Sequence, residues 1–104
     1  MTTFDEREEA FEKKFALDEE QKFKAEARRN RLLGLWAAEK LGLTGEAAAA
    51  YSKEVVTADF EEGGVLRKVM ADFAAKSVAI TEQAIRAKMN EFAAVAAAEV
   101  KAGK

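Results

Sequence analysis

The chain has 104 residues, 49% hydrophobic and 35% charged, with a formal net charge of −2, a length that provides one domain built around one core. It contains no cysteine and no histidine, which removes disulfides, thiolate nucleophiles, Cys-type zinc sites, the commonest general base and the commonest transition-metal ligand. The composition therefore argues against an enzyme, and the mild negative charge gives no overall attraction to nucleic acid or to an anionic membrane.

Proline is absent, so no ring interrupts a helix, and abundant Ala, Glu, Lys and Leu favour helix almost throughout. Glycine supplies the punctuation: Gly42 and Gly45, the pair Gly63-Gly64, and Gly103 divide the chain into four helical segments. The first runs over residues 4–41. Thr3 with Glu6 reads as its capping box, Asp5 and Glu6 suit the positive end of the helix dipole, and only Gly34 interrupts it. Glu9 with Lys13, Asp18 with Lys22 and Glu20 with Lys24 stand in the favourable i, i+4 order.

Two features of this segment stand out. Phe4, Phe11 and Phe15 are spaced seven and four residues apart, which places them on one helical face within a stretch that is otherwise mostly charged. The charge is also polarised: residues 1–20 hold eight acids against three bases, and residues 21–31 five bases against one acid. Dense apolar content arrives only with Leu32, Leu33, Leu35, Trp36 and Leu41, which predicts one wall of a bundle with Trp36 as its largest core anchor.

The second segment, residues 46–61, has Thr44 as candidate N-cap and shows Ala48, Tyr51, Val55 and Ala58 on one face. The third, residues 65–76, presents Leu66, Val69, Met70 and Phe73. The fourth, residues 82–102, follows Thr81 as N-cap and repeats Ile85, Met89, Phe92, Ala96 and Val100. Each is an amphipathic helix that must bury a stripe. The fold class predicted is all-α, a four-helix bundle over residues 21–104, with residues 1–20 as a flexible or partly helical N-terminal arm.

The arm follows from length and energy. One helix over residues 4–41 would extend about 57 Å at about 1.5 Å per residue, against a radius of gyration of about 13 Å for a 100-residue globule. Burying three phenylalanines returns roughly 1.5–3 kcal/mol each, whereas ordering about fifteen residues costs roughly 1–2 kcal/mol apiece for the backbone. Two readings stay open at this level. The stripe folds back on its own bundle as core, or it docks as a helix in a groove of another protein, with aromatic anchors and a charged rim.

The remaining constellations are weak. Arg28, Arg29 and Arg31 are followed by an apolar helix without interleaved exposed aromatics, which argues against nucleic acid and for a role at the exit of the arm or against an acidic surface. Asp59, Glu61 and Glu62 lack the alternating spacing of a calcium loop, and Gly63-Gly64 has no following lysine-threonine pair to cradle phosphate. Early acids and the lack of an apolar run speak against a signal or transit peptide, and no stretch approaches the roughly 18–20 apolar residues of a membrane span. A cytoplasmic location is expected.

From its first residue, in MTTFDEREEAFEKKFALDEEQKFKAEARR, and most specifically in LLGLWAAEKLGL, the chain resembles the zeta subunit family of the alphaproteobacterial F-type ATP synthase. The resemblance covers essentially the whole chain. It implies a four-helix domain with a mobile amino-terminal arm that inhibits ATP hydrolysis by entering, as a helix, a catalytic interface between the alpha and beta subunits near gamma. The inhibitory segment would be residues 1 to about 17, with Phe4, Phe11, Phe15 and Leu17 as apolar contacts and Glu8 and Glu12 among its charges. Arg28, Arg29 and Arg31 would form a secondary contact. No cofactor is implied, and weak adenine nucleotide binding is left without a site. Relatives commonly carry a longer acidic loop where Asp59-Phe60-Glu61-Glu62 here runs directly into Gly63-Gly64. The alternative is a helical adaptor whose arm docks on a different protein.

Overall fold

In the computed structural model, which describes residues 17–104, each helix begins or ends on an identifiable backbone device. Helix α1 (Glu19–Lys40) starts at Asp18, whose carboxylate accepts the Gln21 amide at 2.8 Å while the Gln21 side-chain oxygen accepts the Asp18 amide at 3.1 Å. This reciprocal capping box satisfies two N–H groups that the helix leaves unpaired. It also ends the helix there, so helix does not run unbroken from residue 4 to residue 41. The Thr3–Glu6 box lies outside the described residues. The chain leaves α1 through Gly42 at φ +80°, and the Leu43 amide reaches back to the Ala38 carbonyl at 2.8 Å, a Schellman closure that only a left-handed residue permits.

Helix α2 (Gly45–Ala58) follows Thr44, which occupies the N-cap position without a side-chain capping bond. A turn over residues 59–62 leads through Gly63, at φ +82°, into α3 (Gly64–Ala75). Helix α3 is closed by Ser77 at φ +58°, with the Val78 amide on the Phe73 carbonyl at 2.8 Å. Helix α4 (Glu82–Lys101) is capped by Thr81 as its sequence predicts: the hydroxyl accepts the Ala84 amide at 3.1 Å. No strand occurs among the described residues.

Helix α1 is the spine. It packs along both α2 and α4, which do not touch each other, while α3 contacts α2, α4 and α1. The principal core joins Leu33, Ala37 and Ala38 of α1 to Tyr51 and Val55, to Val65, Val69 and Phe73, and to Ile85. A second cluster brings Ala25 and Leu17 together with Ala96, Ala97 and Val100 of α4. The expected faces of α2 and α4 are thus inward.

Three apolar assignments change. Trp36 is half-buried and packs on the margin of the core, its ring edge-on to Phe73 at 5.8 Å; Phe73 is the largest fully buried side chain. Leu35 and Met70 point to solvent. One turn of helix offers the core a single stripe, and in RLLGLWA that stripe falls on Leu33 and Ala37, about 400° apart in helical rotation at about 100° per residue. Leu35, about 200° from Leu33, is turned away.

Gly34 does not interrupt α1; it lets α2 approach. A Cβ at Gly34 would stand 2.7 Å from the Ser52 Cα and 3.2 Å from the Val55 Cβ. At the same crossing the buried Ser52 hydroxyl donates to the Arg31 carbonyl at 2.9 Å, across the helix boundary.

Candidate functional site

Of the residues that the sequence marks as the docking arm, Phe4, Glu8, Phe11, Glu12 and Phe15 lie outside the described residues. Leu17 is described, and it is buried. It precedes the first turn of α1 and lies against Ala25, Ala96, Ala97 and Val100. Ala96 and Ala97, both fully buried, form with Val100 the seat of Leu17 on α4. The next residue, Asp18, has an extended backbone, φ −79° and ψ 176°. The backbone at this junction is therefore extended rather than a continuation of α1.

The basic cluster does not form one face. Arg28 is half-buried and turns toward the end of α4, where its guanidinium lies 3.4 Å from the Glu99 carboxylate and also donates to the Lys104 carbonyl. Arg29 donates through Nε and Nη2 to the buried Asn30 side-chain oxygen at 3.0 and 2.9 Å, with the Glu26 carboxylate 3.9 Å away. Arg31 is exposed. Arg28 thus ties α1 to the end of α4 and Arg29 is engaged within α1, which reduces the positive surface that could meet an acidic partner. The expected Glu20–Lys24 pair is present at 3.2 Å, fully on the surface, where such pairs contribute little.

A second polar group links α2 and α3. The Tyr51 hydroxyl donates to the Asp72 carboxylate at 2.8 Å, Lys68 approaches the same carboxylate at 3.1 Å, and its ammonium stands 5.1 Å from the Tyr51 ring centre. Burial of the phenol, then the hydrogen bond and charge of Asp72 and the charge of Glu54, push the Tyr51 hydroxyl far above its ordinary value. The group is held neutral, which suits a structural donor and not an acid or base near neutral pH. Lys53, Glu54, Thr57, Glu61 and Lys68 line an open depression beside it. Beyond that depression Phe60 stands exposed in the turn between α2 and α3. Among the described residues no cluster of three or more acids is placed to hold a metal ion.

Sequence reading missed Asp18 with Gln21, Asn30 and Glu99. The first was legible: an aspartate followed three residues later by glutamine is a capping-box spacing, hidden by the stronger-looking Thr3 signal upstream. Asn30 takes its bonds from the adjacent Arg29, a pair with no established sequence signature, and Glu99 carries no local signal because its partner is set by tertiary packing.

A family model described as ATPase inhibitor subunit zeta matches residues 1–99. Among solved structures, one determined by solution NMR is 50% identical to this chain, covering 79% of it and 96% of that chain with a TM-score of 0.67. No curated protein matches the chain.

Proposed function

The chain belongs to the ATPase inhibitor subunit zeta family, and from that membership we propose that it restrains ATP hydrolysis by an F-type ATP synthase, its leading segment entering an alpha/beta catalytic interface near gamma as a helix. The observation that carries this reading is the extent of the family match, which begins at residue 1 and so includes the Phe4–Phe11–Phe15 stripe as well as the four helices. The three rings are the anchors, and Glu8 and Glu12 belong to the charged rim around them. The partners are the alpha, beta and gamma subunits, at the cytoplasmic face of the inner membrane. No described helix is long and apolar enough to cross a membrane.

The mechanism needs no chemistry on the inhibitor. A rotary ATPase opens and closes its interfaces in sequence. A segment that binds one interface geometry better than the next stabilises that state, and each 1.4 kcal/mol or so of differential affinity slows the following step about tenfold. Partial burial of three phenylalanines, at roughly 1.5–3 kcal/mol each when complete, is ample for that. Synthesis turns the shaft the other way and tends to expel the arm, so it is hindered less.

The test is the hydrolysis rate of the cognate ATP synthase with and without the purified chain, alongside a chain lacking residues 1–16. The full chain lowers the rate. The shortened chain leaves it unchanged while still melting cooperatively. Equal rates with and without the full chain would remove the inhibitory reading, and an adaptor for some other protein would produce that result.

A further inference from the structure

Three devices converge where the chain enters the body. Leu17 lies ahead of α1 and apart from the principal core, yet it is only 8% exposed, against Ala96, Ala97 and Val100. A residue just outside a helix frays unless something ties it down. Asp18 then fixes the first turn by its reciprocal bonds with Gln21 and sets an extended backbone at the junction. From the far side, Arg28 fastens the same end of α4 to α1 through Glu99 and the Lys104 carbonyl, which holds the seat of Leu17 in register with the start of α1.

We infer that Leu17 and Asp18 are positioning residues of the inhibitory segment: they fix the point and direction in which residues 1–16 leave the body, and Leu17 acts through its seat on α4 rather than by touching the partner. The inference rests on the proposed inhibition and refines it. An interface that admits one helix leaves the four-helix body outside. Sixteen residues in helical form reach about 24 Å beyond the seat, at about 1.5 Å per residue. A root held in one direction lets the segment enter with the body clear of the rim. A loosened root adds backbone ordering to the work of binding, which raises the half-maximal inhibitory concentration.

The full-length chain, which lacks cysteine, accepts paired spin labels at Ala16→Cys and Ala98→Cys without background. Leu17→Ala, Val100→Ala and the double variant are compared by label-to-label distance distribution, by half-maximal concentration for inhibition of the cognate ATP synthase, and by melting. Each single variant should broaden the distribution and raise the half-maximal concentration about tenfold, and the double variant should do no more than either, because both remove one contact. Leu17→Met, which refills the seat, should match the unaltered chain. Additive losses, or a loss with Leu17→Ala and none with Val100→Ala, would make Leu17 a partner contact and overturn the inference, as would unchanged inhibition by both. Should the unaltered chain fail to inhibit, the inhibitory reading falls separately. The label distances then decide on their own whether the seat holds the root.

Discussion

Replacing Gly34 by alanine tests the helix crossing on which the body depends. The added methyl would lie 2.7 Å from the Ser52 Cα, a backbone atom, so no side-chain rotation relieves the contact. Normal carbon–carbon separation is about 3.5–4.0 Å, so α1 and α2 must part by roughly 1 Å. Overpacking of this kind costs about 1–3 kcal/mol. The same parting stretches the 2.9 Å bond from Ser52 to the Arg31 carbonyl, worth about 1 kcal/mol. Against this, alanine gains about 1 kcal/mol over glycine in a helix interior. The net expectation is a loss of about 1–3 kcal/mol, read as a fall in melting temperature of about 5–15 °C for a domain of this size, by circular dichroism at 222 nm. Ser52→Ala alone should cost about 1 kcal/mol, and less in the Gly34→Ala background, where the bond is already strained. A Gly34→Ala chain as stable as the parent, with fully additive Ser52→Ala, would refute the close-crossing account.

Ser77→Gly should stabilise the chain by about 0.5–1 kcal/mol, since Ser77 closes α3 in a left-handed conformation that glycine adopts without steric cost; a lower melting temperature would mean that the serine side chain compensates. Tyr51→Phe should cost about 1–2 kcal/mol near pH 7 by removing the bond to Asp72. Because folding holds the Tyr51 proton more tightly than the unfolded chain does, that bond's contribution is intact below about pH 10 and declines above it. Urea midpoints of the two proteins should accordingly converge between about pH 10 and 12, and a constant gap would contradict the assignment. In the hydrolysis assay, Phe11→Ala with Phe15→Ala should raise the half-maximal concentration at least about tenfold, whereas Glu19→Gln with Glu20→Gln, in the exposed first turn of α1, should leave it within about twofold; equal effects would remove the anchor role.

The class of the fold was legible because glycine and capping signals act locally. Gly42 and Gly63 take the left-handed backbone that their positions suggest, and Thr81 caps α4 through its own hydroxyl. Interior assignments were less secure where hydrophobic residues outnumber the positions one stripe can bury. Leu35 and Met70 fitted a helical face on paper, but the neighbours of α1 and α3 occupy other sides. Ser77 carries no glycine signal, and its left-handed turn follows from the need to return Val78 to the core. The candidate site was the hardest part. The pairing of Arg28 with Glu99 and Lys104 depends on which helices meet, and 71 residues separate Arg28 from Glu99.

The proposed inhibition gives a division between body and leading segment a thermodynamic rationale. Among the described residues, the buried members of the principal core fall within residues 33–85, and the second cluster reaches back no further than Leu17. If the phenylalanines of the leading segment were already committed to the chain's own core, engaging a partner would first require breaking that packing, and roughly 1.5–3 kcal/mol per ring would be subtracted from the affinity. Under the proposed inhibition, rings held out of the core would keep their whole transfer energy for the interface. Stability and potency should then vary independently: substitutions at the Gly34 crossing move the melt and not the potency, and those at Phe11 and Phe15 do the reverse. Leu17 is where the two couple, because one side chain both completes the seat on α4 and fixes where the segment begins.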